Sequence, residues 1–197
     1  WGKNLVRNFY ELEVLASICD PNIDIAKQYA EQYSVQNHSF SEIINNPSIQ
    51  GVVLAVPAKH HAAMAIDVMK QGKHVFVEKP LAMNEAEATL MIETATENKV
   101  QLMVGHLLHY HPVFQKVKDM VLGGEIGKID YMHSNRLSFG KVRTEEDVIW
   151  SFAPHDISMI LSLANQEPEL VSAHSTAVLQ DNIADMATIH MTFKSGL

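Results

Sequence analysis

GVVLAVPAKHHAAMAIDVMKQGKHVFVEKP, residues 51–80, carries the pattern that decides the fold. Gly51 to Val56 is an almost wholly apolar run, stopped by Pro57. His60 to Gln71 reads as a helix, with Gly72 as a natural C-terminal stop. His74 to Val77 is a second short apolar run. Strand, helix, strand, with strands apolar on both faces, predicts a parallel sheet covered by helices on both sides.

The same alternation extends outward. Upstream, Gly2 to Tyr10 reads as helix and Glu13 to Cys19 as a short strand ending at Asp20-Pro21. Ile25, Ala26, Tyr29 and Ala30 fall at helical spacing within Ile23 to Tyr33, and Ser41 to Asn46 is a short helical turn closed by Pro47. Downstream, Asn84 can cap a helix running to about Asn98, with Glu87 three residues later as in a capping box. Gln101 to Gly105 follows as a strand. Crossovers of this length are expected to be right-handed.

The pattern changes near residue 124. Gly123-Gly124 and Gly127 break the chain, and Lys128 to Ser138 then reads as a long strand. Trp150 to Ala164 contains a helix. Val171 to Gln180 and Ala184 to Phe193 read as paired strands about Asp181-Asn182. Thr188, His190 and Thr192 alternate with Ile189, Met191 and Phe193, which predicts an antiparallel sheet with one wet face. The expectation is a parallel α/β domain over residues 1–123, and the start of an α+β domain with a mostly antiparallel open sheet over 124–197. A sheet of this kind normally has a strand before its first helix, so the chain is expected to be a piece, incomplete at both ends.

Composition narrows the function classes. The 197 residues are 47% hydrophobic and 19% charged, as in a core-forming globular protein. A net charge of −8 lacks the basic footprint of a nucleic-acid binder. One cysteine, Cys19, cannot form an intrachain disulfide, which fits a reducing cytoplasm. No apolar run approaches the ~20 residues of a membrane span. The ten methionines are scattered, as core filler would be.

A cofactor signal lies near the N-terminus. In a dinucleotide-binding fold, G-x-G-x-x-G links the first strand to the first helix. Only the tail of such a turn is available here, Trp1-Gly2. Asp20 ends the next strand at close to the ~20-residue spacing of a ribose-binding acid. A carboxylate there accepts from both ribose hydroxyls and repels a 2′-phosphate, so it favours NAD over NADP. Equally, Asp20-Pro21 can be simply a turn.

From residue 51 onward the sequence resembles the Gfo/Idh/MocA family of oxidoreductases. The resemblance rests on Ala55-Val56-Pro57 followed by His61, on Gly72-Lys73-His74-Val75-Phe76-Val77-Glu78-Lys79-Pro80-Leu81, and on Val104-Gly105-His106. Gly124-Glu125-Ile126-Gly127-Lys128-Ile129 and Ala153-Pro154-His155-Asp156-Ile157-Ser158 continue it in family order. The opening Trp1-Gly2-Lys3-Asn4-Leu5-Val6-Arg7-Asn8-Phe9 looks like a subgroup acting on nucleotide-linked sugars. The resemblance implies a Rossmann domain followed by an α+β domain. It also implies hydride transfer between a sugar or polyol carbon and a nicotinamide cofactor, no metal, and a homodimer or homotetramer.

It further implies roles for individual residues. Lys79 and His155 are the expected catalytic pair. Lysine at a strand's C-terminal end can stabilise charge on a reacting oxygen, and histidine titrates near neutrality and can take a hydroxyl proton. Trp1, Gly2, Asp20, Pro57, His61, Glu78 and Lys79 are expected around the cofactor. His106, Arg136, Trp150 and Ser151 are expected around the substrate. Asn135, Arg136, Lys141 and Arg143 can bind a carboxylate or diphosphate, or form an exposed basic stretch. His106, His109 and His111, with His60 and His61, make metal ligation conceivable, but no clear set of four ligands emerges. In many family members the position four residues before the histidine is an aspartate. Ser151 stands there instead and cannot supply negative charge. The rival readings are an NAD-retaining glycoside hydrolase or lyase of the same fold, and a non-catalytic NAD-binding protein.

Overall fold

The computed structural model describes residues 2–137, 142 and 146–197. Trp1, Lys141 and Arg143, three of the expected site residues, lie outside the described residues. The chain divides into two compact units, one ending at Gly105 and one beginning at His106.

The first unit opens with helix α1 (Gly2–Glu11) and strand β1 (Ser17–Ile18). The strand is shorter than the apolar run suggests. Glu13 takes a left-handed φ of 59°, and its amide and that of Val14 bond back to Tyr10 and Phe9, so the end of the helix consumes the first residues of the run. Helix α2 (Ile23–Tyr33) is capped by Asn22, whose side chain accepts from the amides of Asp24 and Ile25. Strand β2 (Gln36–Asn37) pairs in parallel with β1. Helix α3 (Phe40–Asn45) starts with a full capping box between Ser39 and Glu42.

The central sheet is parallel, with strand order β3 (Gly51–Leu54), β4 (His74–Val77), β5 (Leu102–Val104). Helix α4 (His61–Lys70) connects β3 to β4, and α5 (Glu85–Glu97) connects β4 to β5. The Asn84 side chain accepts from the Glu87 amide at 2.9 Å, while the Glu87 carboxylate reaches the Met83 amide at 3.1 Å. Leu54, Ala65, Val68, Met69, Val75, Val77 and Met91 form the buried core between the sheet and these helices.

Buried polar contacts hold the unit together as well. Lys73 is buried, and its ammonium donates to the carbonyls of Asn46 and Ile49 at 2.6 and 2.7 Å. Both carbonyls belong to the α3–β3 connection, so the lysine closes that loop beneath the start of β4.

The second unit contains a short 3-10 turn at Leu107–Tyr110, then α6 (Pro112–Leu122) and α7 (Val148–Ala164). It ends in an antiparallel pair, β6 (Pro168–Thr176) and β7 (Met186–Phe193). On β7, Phe193 is buried and Ile189 and Met191 are half-buried, while Thr188, His190 and Thr192 are exposed, matching the expected alternation. β6 stops short of the expected Gln180 because the Asp185 carboxylate draws the amides of Val178 and Leu179 into the connecting turn.

One expected element is absent. Residues 128–137 form neither strand nor helix. A strand needs a neighbour for its ladder, and among the described residues none pairs with this segment; Tyr131 and Leu137 are correspondingly exposed.

Met91 is fully buried between α5 and the core, whereas Leu90 beside it is half exposed. Met91→Ala is expected to lower unfolding free energy by about 2–5 kcal/mol. Leu90→Ala is expected to change it by no more than about 0.5 kcal/mol. Urea denaturation of both variants checks the contrast.

Candidate active site

Parallel pairing of β3 with β4 places two chain ends side by side. The Glu78 amide donates to the Leu54 carbonyl at 2.9 Å, so the ladder runs one residue past the strand. Beyond that bond the first strand leads into Pro57 and the second into Glu78-Lys79-Pro80. The Lys79–Pro80 peptide is cis.

His61 locks these two ends together. Its ring is fully buried, with Nδ1 2.7 Å from the Pro80 carbonyl oxygen and Nε2 2.9 Å from the Val56 carbonyl oxygen. Carbonyl oxygens only accept, so a neutral ring matches one of them and an imidazolium matches both. His61, expected at the cofactor, therefore braces the turn that carries Lys79. It sits at the start of α4 because the 3-10 turn Ala58–His60 after Pro57 directs the chain back over the sheet.

Glu78 is buried, and its carboxylate accepts from the amide of Lys79 at 3.3 Å. The same carboxylate packs on Gly105: a Cβ there would lie 3.3 Å from Cδ and from both oxygens. Gly105 is itself held by its amide, which donates to the Val77 carbonyl at 2.8 Å. A side chain at 105 would press against the glutamate from a fixed backbone. The sequence drew attention to Gly105 only as part of a matching motif; its use as a bed for Glu78 depends on a contact between β4 and the end of β5.

Two further expected cofactor residues lie in this unit. A Cβ on Gly2 would stand 3.7 Å from Ala55 Cβ, so the start of α1 lies against the C-terminal end of β3. Asp20 is exposed just after β1, with Oδ1 accepting from the Asn22 amide at 2.8 Å. It thus makes a turn and presents a carboxylate at the strand end at once.

In the second unit, His106 and His155 come together in an edge-to-face arrangement, with ring centroids 6.4 Å apart. His109 lies 6.0 Å from His106 and edge-on to Phe114 at 5.5 Å. Burial, with the nearby Lys118 charge, pushes the His109 pKa below its ordinary value. Among the described residues, no group of three His, Cys, Asp or Glu side chains is placed to hold a metal ion.

His155 lies within α7, directly after Pro154. The helix starts earlier than expected because the Asp147 carboxylate caps it, accepting from the Trp150 amide at 3.0 Å. Asp156 anchors the helix to the irregular segment before it. Arg136 donates to it through Nε at 2.7 Å and Nη2 at 3.4 Å, and Ser134 donates through Oγ at 2.7 Å. Arg136, expected at the substrate, is here engaged with the residue next to His155. Ser151, also expected there, is 2% exposed and donates its hydroxyl to a Glu146 carboxylate oxygen at 2.9 Å. The negative charge that Ser151 lacks stands directly beside it, on a residue the sequence gave no reason to single out.

Comparison with known proteins places this geometry. Residues 2–106 match the oxidoreductase family with an NAD-binding Rossmann fold, and residues 114–197 match the GFO/IDH/MocA C-terminal domain. The chain belongs to the Gfo/Idh/MocA oxidoreductase family. It is similar to the UDP-N-acetylglucosamine 3-dehydrogenase of Acidithiobacillus ferrooxidans, with 29% identity over 99% of this chain and 61% of that protein. It is also similar to the myo-inositol 2-dehydrogenase of Thermotoga maritima, with 27% identity over 93% of this chain and 58% of that protein. A crystal structure of the Acidithiobacillus enzyme superposes with a TM-score of 0.88, covering 99% of this chain and 63% of that one. The chain therefore spans about 60% of the length of the relatives it matches. No helix among the described residues is long and apolar enough to cross a membrane.

The Asp156–Arg136 pair has a pH signature. Burial works to raise the Asp156 pKa, but the hydrogen bonds from Arg136 and Ser134, with the charges of Arg136 and His155, outweigh it and hold the carboxyl below its ordinary value. A depressed folded-state pKa stabilises the protein above the unfolded value and loses that effect as pH falls through the folded one. The pair is partly solvated, so Arg136→Met is expected to cost only about 1 kcal/mol at neutral pH. The gap from wild type should close in the acid range below ~4. Denaturation curves across that range measure it.

Proposed function

We propose that this protein is an NAD-dependent dehydrogenase acting on a hydroxyl-bearing carbon of a sugar, with a nucleotide-linked sugar as the preferred class. The observation that carries this reading is the braced Glu78-Lys79-Pro80 turn. A buried histidine, a buried carboxylate and a glycine bed hold a lysine at the C-terminal end of a parallel strand, where ligands of open α/β sheets gather. Such investment in one lysine is unusual, since lysines are ordinarily solvated.

The residues fit a dinucleotide. The start of α1 meets the sheet at the C-terminal end of β3, and amides at a helix start suit a pyrophosphate. Asp20 offers an oriented, exposed carboxylate to a ribose, and its charge favours NAD over NADP. Pro57 and Glu78 complete the strand ends facing that side. When bound, the nicotinamide supplies the hydride acceptor. His155 takes the hydroxyl proton, while the Lys79 ammonium stabilises the developing charge on the oxygen. His106, in ring contact with His155, and Trp150 on the same helix contribute to substrate positioning. The UDP-sugar activity of the Acidithiobacillus relative supports the substrate class. A homodimer or homotetramer is the assembly that family membership suggests.

In the full-length protein, Lys79→Ala is expected to lower NADH formation roughly 10²–10³-fold while leaving NAD binding measurable by calorimetry. Wild type is assayed with a panel of UDP-sugars and inositols, following NADH absorbance and product mass together. An unchanged rate in the variant overturns the assignment. Glycoside cleavage without net NADH would replace it with the hydrolase reading, and NAD binding without turnover of any substrate with the non-catalytic one.

A further inference from the structure

We propose that Glu146 is a positioning residue for His155, holding a carboxylate on the helix face that carries the histidine. The proposal rests on the reading of His155 as the proton acceptor. Three observations carry it. Ser151 is almost fully buried, and its hydroxyl donates to Glu146 Oε1 at 2.9 Å. Ser151 and His155 are four residues apart within α7 and so share one face, about 5–6 Å apart at Cβ. The serine therefore fixes a carboxylate one turn ahead of the base, at the N-terminal end of the helix, where negative charge is favoured. The cap itself is a different residue, Asp147, so Glu146 is not needed to start the helix.

A carboxylate there stabilises the imidazolium that forms when His155 accepts a proton, and it disfavours ring orientations that move the positive charge away. Among the described residues, one other carboxylate couples to His155, that of Asp156. Asp156, beside it on α7, is committed to Arg136 and Ser134. His106 contributes a ring at 6.4 Å, with His109 behind it. On α6, Lys116 and Asp119 are exposed and Lys118 acts on His109; on β7, His190 is exposed.

Glu146→Gln separates charge from structure, because the amide oxygen still accepts from Ser151 while the negative charge is gone. The His155 ring is titrated by NMR in the full-length protein without substrate. Glu146→Gln is expected to weaken proton binding by His155 about threefold or more, and Glu146→Asp to restore most of it. Ser151→Ala, which removes the hydroxyl contact to the carboxylate, should give a smaller loss, and the double variant should be no worse than Glu146→Gln alone. With a turned-over substrate, the loss in Glu146→Gln should fall on kcat and not on KM. An unchanged His155 titration in Glu146→Gln overturns the proposal and leaves His155 as the base. Full turnover in His155→Asn overturns that reading, and this inference with it.

Discussion

The buried imidazole of His61 is the contact on which the first unit's working edge depends. It spans the carbonyls of Val56 and Pro80, which lie just beyond the ends of two neighbouring parallel strands. Parallel pairing alone would bring these ends near one another and leave them free to diverge. Close contacts from both nitrogens of one rigid ring remove that freedom. Lys79 sits between the strand β4 and a latched proline, so its backbone is held from both sides. Because the ring is buried, water does not compete for either carbonyl, which makes these contacts costly to break.

Glu78 and Gly105 extend the same constraint across the sheet. The glutamate is inside the unit because its carboxylate has somewhere to lie, above a residue with no side chain. The glycine's amide is pinned by the carbonyl of Val77, so the bed does not move. Three strands thus each give a residue to one small construction: Val56 after β3, Glu78 after β4 and Gly105 after β5. This is the physical content of a motif scattered over fifty residues of chain.

The second unit solves a comparable problem with charge. Helix α7 must carry a histidine next to a proline, whose missing amide interrupts the hydrogen-bond ladder of the helix. The helix is held instead by contacts around that point. Asp147 caps its start, Glu146 accepts from Ser151, and Asp156 ties it to Ser134 and Arg136. The acidic residues of this stretch are therefore not a solvated face. Each of these three carboxylates has a defined partner.

By itself the sequence determined what depends on short-range pattern. Apolar runs ended by proline or glycine gave the parallel sheet around residues 51–105, because burial on both faces of a strand leaves no other composition. Capping residues such as Asn84 gave helix starts, since their bonds reach only three residues along the chain. The motif around Lys79 marked the lysine for the same local reason, and its order with the later motifs marked the family. Tertiary structure alone decided what depends on a partner far along the chain. Residues 128–137 read as part of a strand yet form none, because a strand exists only with a neighbour and none is described for them. The two carbonyls around the His61 ring belong to residues that the sequence pattern does not bring together. Nothing near Arg136 in sequence indicates that Asp156, twenty residues on, holds its guanidinium. Ser151 looked like a lost charge until folding brought the Glu146 carboxylate against its hydroxyl, a contact whose donor and acceptor have no periodic signature in the chain.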